Sequence, residues 1–249
     1  MTTGTGMTTG IVMDMATPTA ETPALLRLLA WMSPSFPTGA FSYSHGLEMA
    51  VEDGAVRDAA TLGSYVEAAL GWGAGRTDAA FLALAWRAAT AGDLAALRDV
   101  ASRAAAMRGS AELALESLSQ GRAFLATARA AWPDATLTAL AAALETQEGA
   151  IAHPVAVALV GAAWSVPLGD LLLAHLHGFA ANLVSAGVRL VPLGQTDGQR
   201  ALASLEGPIR AAAALAATTA DLDAVRAAAP AIDLLSIRHE TQYTRLFRS

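Results

Sequence analysis

The 249-residue sequence contains no cysteine and no lysine. The first absence removes disulfide frameworks, thiolate metal sites, iron–sulfur clusters and thiol nucleophiles together, and it fits a reducing cytosol. The second means that all 16 positive residues are Arg, so neither a P-loop phosphate lysine nor a Schiff-base lysine is available. Basic blocks are missing too. With a formal charge of −6 and a pI near 5.3, the chain lacks the phosphate-neutralising surface of a nucleic-acid binder. No H-E-x-x-H, G-x-S-x-G or paired-carboxylate motif occurs. Residues 1–22 lack the basic patch and apolar run of a signal peptide and read as a flexible leader. Gly4, Gly6 and Gly10 loosely echo a phosphate loop, but no strand precedes them and no helix follows directly.

What the chain has is apolar residues, 54% of the total, enough for a sizeable core. Strand signals are nearly absent, while Ala, Leu, Arg and Glu, the strong helix formers, run from end to end. The pattern predicts helices near 23–32, 44–52, 61–73, 77–91, 93–107, 110–131, 133–148, 154–166, 167–186, 197–217 and 233–247. Pro133, Pro154 and Pro167 suit first-turn positions, and Thr196 with Gln199 has capping-box spacing. Short connections favour antiparallel neighbours. The expected fold is all-α, a single-domain bundle of about ten helices over residues 23–229. Residues 230–249 form a C-terminal tail that belongs to the same domain when ordered. Between Glu148 and Arg189 the one formal charge is Asp170, which raises the question of a membrane span. Pro154, Pro167 and three histidines, with no Lys/Arg flanks, favour a buried helical hairpin instead.

Three features carry what chemistry there is. His175 and His177 are two apart and so point about 200° apart on a helix, which suits core or interface histidines better than shared ligands. The stretch "MSPSFPTGAFSYSHGLE", Met32 to Glu48, gathers Pro, Gly and aromatic residues into a bend inside an otherwise Ala- and Leu-rich chain. Ser42, Ser44 and His45 within it offer a triad on paper, the basis of an alternative reading as a helical hydrolase, but no orienting carboxylate or elbow turn accompanies them. The end of the chain, "IDLLSIRHETQYTRLFRS", sets Arg238, Arg245 and Arg248 against Asp233 and Glu240, slightly basic on an acidic body. As a helix it would place Arg238 and Arg245 on one face. Such a segment suits either docking to a partner or packing on its own bundle. An unrelated helical dimerisation module is a further alternative.

Three segments together, "LLRLLAWMSPSFPTGAFSYSHGLE", "VRLVPLGQTDGQ" and "IDLLSIRHETQYTRLFRS", resemble in order and spacing the signature regions of the UreF family of urease accessory proteins. The resemblance covers nearly the whole chain after the leader. "RGSAELALESLSQGRAFL" is more loosely similar to the family's central helix, with Arg108, Glu112, Gln120, Gly121 and Arg122 matching. The resemblance implies an all-α, cytoplasmic, non-enzymatic chaperone that forms a homodimer and bridges UreD (also called UreH) and the GTPase UreG. In that assembly nickel is loaded into apo-urease with GTP hydrolysis, and no cofactor is stably bound by this chain. It carries Phe41, Ser42, Tyr43, Gly46 and Glu48 as signature positions of the first region, and Arg189, Pro192, Gly194, Gln195 and Gln199 of the second. In the tail it carries Arg238, His239, Glu240, Tyr243, Arg245 and Phe247, in a region the family associates with partner docking. No metal ligand or catalytic residue is implied. His45, His153 and His239 are read as hydrogen-bonded side chains rather than a metal path. Arg108, Arg122, Arg189 and Arg245 are candidates by type for an arginine supplied to a GTPase.

Overall fold

In the computed structural model, Met1 and residues 22–145 and 151–249 are described. Residues 2–21 of the expected leader and residues 146–148 of the helix expected to reach Glu148 lie outside them, and Thr22, placed in the leader, opens α1. Twelve α-helices account for the architecture among the described residues: α1 Thr22–Trp31, α2 Leu47–Glu52, α3 Ala59–Gly71, α4 Ala74–Ala91, α5 Leu94–Ala106, α6 Ala111–Ala131, α7 Ala135–Glu145, α8 His153–Ala163, α9 Leu168–Leu190, α10 Gln195–Ser204, α11 Glu206–Thr218 and α12 Pro230–His239. Short 3-10 turns lie at Ala40–Ser42 and Leu222–Ala224. No strand occurs among these residues, and the all-α expectation holds.

The two central helices are α4 and α8. In α8 every residue from Pro154 to Gly161 is buried, and in α4 the run Ala79–Ala85 is buried; helices apolar on all sides belong inside a bundle. Around them pack α5, α6, α9 and α11. One hydrophobic core runs from Leu28 to Phe247 and includes Phe81, Phe124, Leu159 and Leu172. Helix α9 is long and apolar enough, by length and composition, to cross a bilayer, but half of its most apolar window is buried in the protein. It lies against α3, α4, α10 and α11.

Several helix starts follow their caps. Ser110 and Asp93 accept from the third backbone N–H of α6 and α5, and Asp58 forms a capping box with Thr61 at the head of α3. Other expectations are corrected. Asp134, not Pro133, starts α7, its carboxylate accepting from the Leu137 N–H at 2.8 Å. Pro167 is the N-cap of α9 rather than a first-turn residue. The Thr196–Gln199 box does not form: α10 begins at Gln195 with Gly194 as N-cap, so Thr196 is already inside the helix. The single helix expected over 197–217 is two, meeting at Leu205. Pro208 has no N–H to give to the Ser204 carbonyl, which interrupts the helical ladder there.

The largest departure is at the end of the chain. Helix α12 stops at His239, and residues 240–249 continue as turns. Arg238 and Arg245 therefore do not share a helical face. The backbone N–H groups of Leu246, Phe247 and Arg248 are taken by acceptors elsewhere in the fold, so a helix here would forfeit those bonds.

Candidate partner-docking site

The Pro- and Gly-rich bend positions the site. Gly39 is left-handed (φ 77°) before the 3-10 turn, and His45 (φ 54°) and Gly46 (φ 75°) reverse the chain into α2. At Gly46 the requirement for glycine is double. The positive φ disfavours other residues, and a Cβ would sit 2.8 Å from the Ser236 backbone nitrogen on α12. The Tyr65 hydroxyl donates to the His45 carbonyl at 2.7 Å and fixes the turn.

Three carboxylates then receive the C-terminal segment. Glu48, buried in the first turn of α2, accepts from the Leu246 N–H (2.6 Å) and the Phe247 N–H (2.9 Å), with His239 Nε2 at 3.1 Å. Glu112, in the first turn of α6, meets His239 Nδ1 at 2.7 Å and accepts from Arg245 Nη1 at 2.5 Å. Glu116, one turn further on, lies 2.9 Å from His45 Nε2 and accepts from Gln120 Nε2 and Ser249 Oγ, both at 2.8 Å. Helix starts favour negative charge, which helps hold Glu48 and Glu112. The completely buried His239 thus lies between two carboxylates from different helices. A carboxylate taken from water requires such partners.

Further bonds complete the seam. Arg248 N–H donates to the Ser42 carbonyl (2.8 Å), and Ser44 N–H to the Ser249 carbonyl (2.7 Å), which also accepts from the Ser44 hydroxyl. Ser110 and Ser236 hydroxyls pair at 2.7 Å, and Ala111 N–H donates to Glu240 at 2.9 Å. Arg238 grips Asp53 with both terminal nitrogens, and that hydrogen bonding holds the Asp53 pKa below the ordinary carboxylate value. Arg189, at the end of α9, donates to the Phe41 carbonyl (2.9 Å). Its guanidinium lies 3.7 Å from the Phe41 ring centre and 4.4 Å from that of Phe247.

Of the residues expected to matter, the structure joins Phe41, Ser42, Tyr43, Gly46, Glu48, Arg189, Arg238, His239, Glu240, Arg245 and Phe247 in one place. Tyr43 is buried and braces the core, its carbonyl accepting from Asn182. Phe41 is 66% exposed, under the Arg189 guanidinium. Tyr243 is fully exposed and Leu246 is 65% exposed. Pro192, Gly194, Gln195 and Gln199 are not brought there: the first two lie exposed in the α9–α10 turn and the other two lie exposed on α10. Glu116, Ser249, Ser110 and Asp53 were not expected in this seam, and Ser44 enters it as a donor to Ser249 rather than as a nucleophile. The spacing of Glu112 and Glu116, one helical turn apart, was the available signal for the first.

Beneath the seam lies a cavity of about 470 Å³, lined among others by Trp31, His45, His153, His175 and the Asp78–Arg108 pair. That pair is 2.6 Å apart and nearly buried. Burial, and then the neighbouring His175, drives the His153 pKa down to about 3, so its imidazole is neutral; burial likewise lowers His175. His177, two residues on, is exposed, as the helical spacing required. Among the described residues no group of three or more His, Asp and Glu could hold a metal ion. Ser44 and His45 are committed to different partners, Ser249 and Glu116, so no nucleophile–base hydrogen bond joins them.

The body is all-helical, it locks its own terminal segment with buried carboxylates, and it leaves Phe41, Tyr243 and Leu246 exposed. The UreF family model matches residues 56–206. The urease accessory protein UreF of Rhodopseudomonas palustris (strain BisA53) is 53% identical over 226 residues, covering 91% of this chain and 93% of the relative. That of Granulibacter bethesdensis is 50% identical over 240 residues, covering 96% of this chain and all of the relative. That of Bradyrhizobium diazoefficiens is 49% identical over 229 residues, covering 92% and 93%. The chain belongs to the UreF family of urease accessory proteins.

Proposed function

We propose that this chain is a cytoplasmic, non-enzymatic chaperone of urease maturation. As a homodimer it bridges UreD (UreH) and the GTPase UreG, so that GTP hydrolysis is coupled to delivery of nickel, the cargo of the assembly, into apo-urease. Family membership supports the urease reading. The observation that carries the docking reading is the seam itself: residues 238–249 are fastened to α2 and α6 by buried bonds, yet Tyr243 and Leu246 stand in solvent. A segment fixed in backbone and exposed in its large side chains presents a preorganised surface, which lowers the ordering cost of association.

The family resemblance alone suggests truncating the chain after Pro230 to remove docking while leaving the bundle intact. Because α12 and Phe247 contribute to the core and cover Glu48, exchange of exposed side chains is the cleaner test. Tyr243→Ala with Leu246→Ala is expected to change stability by no more than about 0.5 kcal/mol. It should reduce recovery of UreD with this protein at least about tenfold, as expected when anchor residues are removed. Size-exclusion chromatography with light scattering, with UreD and then with UreG and GTP, reads both complex formation and stoichiometry. Undiminished complex formation by the folded double variant would overturn the assignment of this surface.

Arginine donation to the GTPase is the finer point. Arg108 is paired with Asp78, Arg245 with Glu112, and Arg189 is stacked on Phe41 and Phe247. Arg122 is exposed and has no partner among the described residues. A true arginine finger accelerates hydrolysis by about 10³- to 10⁵-fold. Scaffolding, the reading favoured here, predicts that Arg122→Ala leaves GTP turnover by the assembled complex unchanged; a drop approaching that factor would refute it.

A further inference from the structure

We propose that the His45–Glu116 pair is a pH-sensitive latch for residues 240–249, which dock on the helices at acid to neutral pH and loosen as the solution becomes alkaline. The geometry places both ends of the latch on one carboxylate. Glu116 presents Oε1 to His45 Nε2 at 2.9 Å and Oε2 to the Ser249 hydroxyl at 2.8 Å, and its side chain is only 5% exposed. Ser249 in turn accepts from the backbone and hydroxyl of Ser44, the residue before His45. The loop is closed: bend, imidazole, carboxylate, terminal segment, bend.

The groups around His45 set the direction. Glu116 approaches from α6, Asp78 stands behind it on α4, Arg108 lies in the turn before α6, and from α9 the Phe179 ring meets the imidazole edge-on at 5.0 Å. Burial pulls the His45 pKa down, but the charge and hydrogen bond of Glu116, helped by Asp78 and opposed by Arg108, outweigh it, and the net displacement is upward from 6.5. A histidine whose folded pKa is raised stabilises the fold fully below its ordinary value. That contribution is lost as pH rises through the folded pKa. Once the imidazole is neutral, Glu116 is a buried carboxylate without a counter-charge, and it relaxes most readily by admitting water at the Ser249 side.

This latch concerns how the segment sits on its own body and is measured on the isolated full chain, so its failure is distinct from failure of the partner reading. The test is hydrogen exchange at the Leu246, Phe247 and Arg248 amides, corrected for the intrinsic effect of pH, at about pH 6 and about pH 8.5. Protection is expected to fall by about tenfold at the higher pH. His45→Gln should make protection nearly independent of pH. If that variant does not fold, Glu116→Gln, which keeps an acceptor for Ser249 without the charge, serves instead. Equal protection at both pH values in the unaltered chain, or a fall that persists in a folded variant, would overturn the latch.

Discussion

Replacing Glu48 with alanine is expected to destabilise the protein by about 3 kcal/mol or more, because it strands three donors at once. The Leu246 and Phe247 N–H groups and His239 Nε2 all converge on this one carboxylate, in a region where Phe247 and His239 are at most 3% exposed. The cavity left by the side chain is a minor part; the unpaired polar groups dominate. For a chain of this size the midpoint of thermal unfolding should drop by about 6 to 12 °C. Hydrogen exchange at Leu246 and Phe247 should approach that of an unprotected amide. A loss under about 1 kcal/mol with exchange unchanged would show that these bonds do not hold the segment in solution.

Gly121→Ala should be nearly as costly, against the usual expectation for a helix interior. In an exposed helix the change would gain about 1 kcal/mol from propensity. Here the added Cβ would fall 2.0 Å from the Ile151 carbonyl oxygen and 2.8 Å from the Ala152 carbonyl carbon and His153 nitrogen. These are backbone atoms leading into α8, which cannot rotate aside, so α6 and α8 must move apart. Overpacking of this kind costs about 3 kcal/mol, and it wins over propensity. A matched control is Gly63→Ala in α3, where the closest atom to the new Cβ is the Ser204 hydroxyl at 4.0 Å; that variant should gain up to about 1 kcal/mol. Equal stability of the two variants, by denaturant unfolding, would show that the α6–α8 crossing is looser than described.

These two positions also show where sequence and structure part company. Gly121 and Glu48 could both be marked as family positions, but only the fold supplies their reasons, since the groups that decide them lie 30 residues away in one case and about 200 in the other. Helices, by contrast, are legible locally. Ser110, Asp93 and the alternation of Ala and Leu announce α5 and α6 because caps and apolar periodicity act within one or two turns. The failures are equally physical. The 197–217 helix divides at Leu205 because of Pro208. The 233–247 helix ends at His239 because carboxylate and carbonyl acceptors from elsewhere capture the N–H groups that would have continued it.

The bend at Met32 to Glu48 makes the same point for the site. Its composition announced a turn, and its rings left two roles open. Tertiary packing divided them: Tyr43 went into the core, and Phe41 outward beneath Arg189. From the sequence by itself came the all-helical class, the exclusion of thiol and lysine chemistry, and the three regions that carry the family likeness. Each rests on composition or on interactions a few residues long. Only the tertiary structure joined the first and last of those regions through Glu48, Glu112 and Glu116, and left the α9–α10 turn apart. A buried carboxylate must find its donors, and which donors reach it depends on how the whole chain returns upon itself.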